Sequence, residues 1–118
     1  EAAAQAAQYK LNNLICVVDS NGLSSSGKIP EVIDNRDVAA KFRAFGWEAE
    51  DIDGHNMEEI LNALARARAW QDGPHAIIAH TVKGKGVSYM ENNVAYHSSG
   101  IAGELYTQAL VDLEKEEC

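Results

Sequence analysis

The chain has 118 residues, of which 46% are apolar and 24% charged, an ordinary balance for one globular domain with a small core. Its formal net charge is −8, from 10 Lys and Arg against 18 Asp and Glu, which speaks against a general nucleic-acid or acidic-membrane surface. There is no basic run beyond Lys83 and Lys85 and no apolar stretch near the ~20 residues of a membrane span, so any phosphate recognition must be local.

The first segment, Glu1 to Leu11, is rich in Ala and Gln and predicts a helix that Asn12-Asn13 ends. It opens with neither an initiator methionine nor an N-cap, so the expectation is a truncated, processed or incompletely represented start. It carries no basic, apolar signal peptide either. Residues 14 to 18, Leu14-Ile15-Cys16-Val17-Val18, predict a buried strand. Residues 20 to 35 collect Ser, Gly, Asn and Pro and predict a long loop. Asp37 to Phe45 reads as a short amphipathic helix with Val38, Phe42 and Phe45 on one face and Gly46 as its stop.

Trp47 to Ile52 alternates as a half-exposed strand does. Asn56-Met57-Glu58-Glu59 has the spacing of a capping box, with Asn56 accepting from the backbone and Glu59 reaching back. The helix it opens carries Ile60, Leu61, Leu64 and Ala67 and stops before Gly73-Pro74. A second buried strand spans residues 75 to 81, a second long loop about 82 to 101, and a last helix Ala102 to Glu116. Leu105, Ala109, Leu110 and Leu113 form the apolar stripe of that helix. The order predicts α/β architecture: a right-handed β-α-β-α-β core, a mainly parallel sheet in a three-layer α/β/α arrangement.

Cys16 sits inside an apolar run and reads as a small buried hydrophobe, whereas Cys118 is the last residue and is expected to be mobile. Two cysteines so placed make no disulfide framework, which fits a reducing compartment, and a cytoplasmic location is the default.

Two strands spill into polar, glycine-bearing loops, Asp19-Ser20-Asn21-Gly22-Leu23 and His80-Thr81-Val82-Lys83-Gly84-Lys85-Gly86. With helices between them the strands are expected to be parallel, so both loops leave the carboxyl edge where open α/β sheets bind ligands. An Asn21 amide oxygen beside the Leu23 carbonyl suits a hard cation such as Mg²⁺, although Asn21-Gly22 also reads simply as a turn. Lys83-Gly84-Lys85-Gly86 suits a phosphate, with backbone N–H groups and a point charge, and equally reads as a solvated loop. His97 would donate to a phosphate or shuttle protons, or else is a surface imidazole. His55, His75 and His80 are explained by local polar contacts. There is no zinc-ligand spacing, Gly-x-Ser-x-Gly elbow or Gly-Lys-Ser/Thr phosphate loop.

In this order the residues resemble the pyrophosphate-binding domain of transketolase, over nearly the whole chain. The resemblance rests on Tyr9-Lys10-Leu11-Asn12-Asn13-Leu14-Ile15, Asp19-Ser20-Asn21-Gly22-Leu23, Arg43-Ala44-Phe45-Gly46-Trp47 and Asp53-Gly54-His55. It continues through Ala79-His80-Thr81-Val82-Lys83-Gly84-Lys85-Gly86-Val87-Ser88, Met90-Glu91-Asn92 and Tyr96-His97. It is greatest to the N-terminal subunit of transketolases divided into two polypeptides, and it makes residues 1–118 the C-terminal part of a thiamine-diphosphate-binding domain.

The resemblance implies transfer of a two-carbon ketol unit from a ketose phosphate to an aldose with thiamine diphosphate, which supplies the carbanion chemistry. Asn21 and Leu23 would hold Mg²⁺ or Ca²⁺, Lys83 would lie near the pyrophosphate, and His97 would contact the diphosphate and orient donor or intermediate. The family's Gly-Asp-Gly segment, expected about 30 residues before Asn21, and its pyrimidine-binding domain are absent from these residues. Other transketolase subunits or an upstream segment would supply them. His97 is followed by Ser98-Ser99, where the family usually has glycine, which opens acceptor specificity. A non-catalytic assembly subunit and a related thiamine enzyme with another substrate are the alternatives.

Overall fold

A computed structural model describes residues 1–116; Cys118, expected to be mobile, lies outside the described residues. The chain forms two compact units, one of Glu1–Ser20 with Asn35–Thr81, the other of Asn21–Asp34 with the chain from Val82 onward.

The first unit holds a three-stranded parallel sheet. Its strands are β1 (Ile15–Ser20), β4 (Glu48–Asp53) and β5 (His75–His80), in the order β1-β5-β4. The last strand in sequence is therefore the central one. Register runs from Ile15↔His75 to Ser20↔His80 on one side and from Glu48↔His75 to Asp53↔His80 on the other. Burial follows position. Five of the six residues of β5 are buried, whereas in β4 only Ala49 and Ile52 are, one on each face, and the acidic residues are half-buried or exposed.

Helices cover both faces, as a parallel sheet requires. Helices α1 (Ala2–Gln8) and α3 (Val38–Ala44) bring Ala6 and Ala39 against Ala49, Ala76 and Ile78. Helix α4 (Met57–Ala69) brings Ala63 and Ala67 against Ile52, Ile77 and Ala79 on the opposite face. Alanine dominates both contacts, which lets the helices sit close to the sheet. Ile77 and Ile78 are the largest fully buried apolar side chains besides Pro74, and each contributes about 1.5–3 kcal/mol of burial.

The segment Arg43-Ala44-Phe45-Gly46-Trp47 forms a built corner. Gly46, at φ +87°, ends α3: its N–H donates to the Arg43 carbonyl, and that of Trp47 to the Phe42 carbonyl at 3.1 Å. Phe42 and Trp47 pack at 5.1 Å between ring centroids, and the Trp47 indole N–H donates to the Ala3 carbonyl at 2.8 Å. Arg43 donates from Nε and Nη2 to the Ala49 carbonyl at 3.2 and 2.8 Å, fixing α3 to β4. Asp37 caps the start of α3 by accepting from the Ala40 N–H.

Three expectations change in detail. The first helix stops at Gln8, with Lys10 at φ +51°. Glu59 does not return to the Asn56 backbone: Asn56 accepts from the Glu58 and Glu59 N–H groups, while the Glu59 carboxylate accepts from the Asp53 N–H at 2.8 Å. The 20–35 loop contains a short antiparallel pair, β2 (Leu23–Ser24) with β3 (Gly27–Lys28), and one turn of helix α2 (Ile29–Val32). Pro30 at its first turn has no N–H to waste, which favours the helix start.

In the second unit, helix α5 (Glu104–Glu116) begins two residues later than expected. Its predicted apolar stripe is buried only at Ala109, while Leu105, Leu110 and Leu113 are 43–45% exposed. Asp112 is buried in their stead, because Ser88 donates to its Oδ2 from both backbone N–H (3.0 Å) and hydroxyl (2.5 Å) and Gln108 donates to Oδ1.

Candidate functional site

The parallel pairing of β1 with β5 sends their two following loops off one sheet edge. Ser20 and His80 are register partners, and the Thr81 N–H donates to the Ser20 carbonyl at 3.4 Å. The Thr81 hydroxyl also donates to the Asp19 carboxylate, joining the two exits. Sequence reading missed this pair. Parallel strands of equal length, each with a polar residue at its end, were the available signal.

Gly54 closes the neighbouring strand end at short range. Its N–H donates to the His80 carbonyl at 2.8 Å, and a Cβ there would meet Thr81 Cγ2 at 2.5 Å. His80 Nε2 lies 2.8 Å from Asp51 Oδ1, the local polar contact expected of it. In this way Asp51, Asp53-Gly54, His80-Thr81 and Asp19 fix where the loops begin.

Asn21, Leu23, Lys83 and His97 all fall in the second unit, although Asn21 and Lys83 lie 62 positions apart in sequence. Asn21 and Leu23 are half-buried. The Asn21 Oδ1 accepts from the Leu23 N–H at 3.0 Å, and the Ile29 N–H donates to the Gly22 carbonyl. The turn reading of Asn21-Gly22 is thus what these bonds form, with the amide oxygen held by the Leu23 N–H. The donors are hard oxygens, the kind a divalent cation bridging phosphates takes. Among the described residues no group of three or more His, Cys, Asp or Glu is placed to hold a metal, so these residues would form only part of a coordination sphere.

Lys83 is half-buried at the base of a compact turn. Its carbonyl accepts from Asn92, which adopts φ +53°, and the Lys85 and Val87 N–H groups donate to the Val82 and Gly84 carbonyls. Gly84, at φ +75°, lies so close to Met90 that a Cβ would sit 2.7 Å from its carbonyl oxygen. One part of the phosphate-loop expectation changes: the Gly86 N–H donates to Glu91 Oε1 at 3.1 Å, and Lys85 pairs with the same oxygen at 3.8 Å. A carboxylate of the chain itself already takes that end of the loop, leaving Lys83 as its cationic member nearer the strand.

His97 is exposed, at the end of a 3₁₀ turn (Val94–His97) that Asn93 caps by accepting from the Ala95 N–H. The turn is anchored by Tyr96 packing on Tyr89 at 5.3 Å and by the Tyr89 hydroxyl donating to the Leu105 carbonyl at 2.7 Å. Burial, with the nearby Tyr96 and Asp112, pushes the Tyr89 phenol up. The Ser88 hydroxyl and N–H, with Gln108, hold the Asp112 carboxyl below its ordinary value.

A second polar cluster joins Glu50 of β4, His75 at the start of β5 and Arg66 of α4. Arg66 and buried His75 both contact Glu50, with Arg66 Nη2 at 2.5 Å and His75 Nε2 at 3.0 Å, beside a hollow of about 440 Å³. Burial raises the Glu50 carboxyl, but the hydrogen bonds and charges of Arg66 and His75 outweigh it and hold it below its ordinary value.

The first unit is thus a parallel α/β layer in which β1 and β5 end at one sheet edge, the kind of edge at which open α/β sheets bind ligands. Residues 1–110 match the family described as the thiamine diphosphate binding domain of transketolase, and the chain belongs to that family. It is 38% identical over 98% of its length to the 6-deoxy-6-sulfo-D-fructose transketolase subunit SqwG of Clostridium sp. (strain MSTE9), covering 42% of that protein. It is 36% identical to one subunit of the apulose-4-phosphate transketolase of Phocaeicola vulgatus, covering 98% of this chain and 41% of that protein. The crystal structure of transketolase from Campylobacter jejuni superposes with a TM-score of 0.88 at 33% identity, over 96% of this chain and 18% of that one. The chain thus spans about two fifths of the two subunits it resembles. No helix among the described residues is long and apolar enough to cross a membrane.

Proposed function

We propose that this chain forms part of a thiamine-diphosphate-dependent transketolase that moves a two-carbon ketol unit from a ketose to an aldose. The observation that carries the reading is the parallel register of β1 with β5, which starts the Asn21 and Lys83 loops side by side in a chain of this family. The Asn21 side-chain oxygen and the Leu23 carbonyl would hold Mg²⁺ or Ca²⁺, and Lys83 would neutralise charge on the diphosphate. His97 would contact the diphosphate and orient the donor. Bound there, the cofactor supplies the carbanion chemistry of ketol transfer. This chain's residues bind, orient and balance charge. More chain, from further subunits or from beyond these residues, completes the site.

The sugars named for the two subunit relatives carry a sulfonate or a phosphate. We therefore assign an anionic ketose as donor class, with Ser98-Ser99 after His97 as the local place where specificity differs.

The test uses the complete enzyme, identified by native mass spectrometry, with titration of thiamine diphosphate and Mg²⁺. Asn21→Ala and Lys83→Ala should each weaken cofactor binding at least about tenfold, the scale for groups that orient a metal site. Unchanged affinity in both would leave the chain a non-catalytic assembly subunit.

A further inference from the structure

The loop that ends at His97 is fastened to α5 at two points. Ser88 donates to the Asp112 carboxylate from its N–H and hydroxyl, and Tyr89, the next residue, donates its hydroxyl to the Leu105 carbonyl at 2.7 Å. Leu105 and Asp112 both belong to α5, with roughly two turns or 10 Å of helix between them at ~1.5 Å per residue. Two adjacent loop residues therefore reach anchors well separated along one helix. That fixes the direction of the loop as well as its distance, where a single bond would leave a pivot.

Tyr89 passes this anchorage on to the 3₁₀ turn. Its carbonyl accepts from Asn93 Nδ2 at 3.1 Å, and Asn93 Oδ1 accepts from the Ala95 N–H at the head of the turn. Its ring lies 5.3 Å from that of Tyr96 at an interplanar angle of 60°, a tilted aromatic pair, and Tyr96 directly precedes His97. Beyond His97 the Ser99 hydroxyl donates back to the Ala95 carbonyl at 2.5 Å. Burial, with the nearby Tyr96 and Asp112, pushes the Tyr89 phenol up, so its hydroxyl stays a donor at neutral pH. His97 is exposed, yet the backbone that carries it is held on both sides.

We propose that Tyr89 is a positioning residue, which sets the place of the His97 imidazole by tying the 3₁₀ turn to the first turn of α5 and so governs binding of the anionic ketose donor. This rests on the proposed function, in which His97 orients that donor. Asn21, Leu23 and Lys83 sit in turns with bonds of their own, so the effect falls on the sugar more than on the cofactor. Tyr89 reaches the donor through His97.

The experiment compares Tyr89→Phe, His97→Ala and the double variant in the complete enzyme. Phenylalanine keeps the ring for Tyr96 and removes only the hydroxyl, while the Leu105 carbonyl keeps its place in the helix ladder. Tyr89→Phe should raise the donor KM about three- to tenfold, the scale of one hydrogen bond, with kcat and thiamine diphosphate affinity within about twofold of wild type. In the His97→Ala background the same substitution should add nothing, since its effect runs through the imidazole. Where His97→Ala itself raises the donor KM, an equal rise from Tyr89→Phe in both backgrounds, or no rise in either, would overturn the proposal. The His97 ring signals, followed by NMR, separate the two claims. They should shift in Tyr89→Phe. If His97→Ala leaves the donor KM unchanged, the functional reading of His97 fails, and the ring signals decide the positioning by themselves: shifted, it stands; unmoved, it falls.

Discussion

Thr81 donates its hydroxyl to the carboxylate of Asp19 across 62 positions of sequence, and so ties the exit of β5 to the last turn of β1. Those two exits launch the segments that carry Asn21 and Lys83, the residues proposed to hold the cofactor. Thr81→Val should lower stability by about 1 kcal/mol, a typical single hydrogen bond. In the complete enzyme it should weaken cofactor binding by more than that stability loss requires. Urea unfolding and cofactor titration of the same variant read the two effects apart; a cofactor affinity equal to wild type would show that the bond serves only the fold.

Gly84 has no room for a side chain. At φ +75° a Cβ would press on Met90 backbone atoms at 2.7–2.8 Å, and that backbone is held by its own turn. Gly84→Ala should distort the Lys83 turn at a cost of about 2 kcal/mol or more, combining left-handed strain with the clash. Amide exchange is the direct measurement: protection of the Asn92 N–H, which donates to the Lys83 carbonyl, should fall first.

Glu50 gives the fold an acid limit. Its carboxyl titrates below the ordinary value, because Arg66 and His75 outweigh the effect of burial. A depressed folded pKa contributes stability that is present above the unfolded value of about 4.3 and is lost as pH falls through the folded one. Asp112, held down by Ser88 and Gln108, acts in the same direction. Denaturant midpoints should therefore fall as pH drops below about 5, and Glu50→Gln should flatten part of that slope. An equally steep slope in the variant would remove Glu50 as a contributor.

The core is thin, so its large members matter. Ile78 is 1% exposed between β1, β4 and the helices of one face. Ile78→Ala should cost about 2–5 kcal/mol, visible as a lower melting temperature in calorimetry. A loss under about 1 kcal/mol would mean that α1 and α3 collapse onto the gap.

Much of the fold was readable where residues act on near neighbours. Asp37 and Asn56 cap their helices, Gly46 stops α3, and the apolar run Ile15 to Val18 is a strand. Reading failed where distant partners decide. Asp112 was unreadable as a buried group because its partner Ser88 lies 24 residues away. Its burial rotates the packed side of α5 away from the leucine stripe. The Gly86 N–H looked open to phosphate, yet Glu91, five residues on, takes it.

For the site the division is similar. The family was legible only through the resemblance of its residue motifs, whereas composition and local pattern determined by themselves the alternation of strands and helices, the parallel sheet, and the loops that bear Asn21, Lys83 and His97. These follow from backbone preference and hydrophobic period, which act over a few residues. Only the tertiary structure decided that β5 lies at the centre with β1 and β4 at the edges, and that Thr81 meets Asp19. Strand order and edge exposure depend on which apolar surfaces find each other in space, and no window of local sequence contains both partners of such a contact.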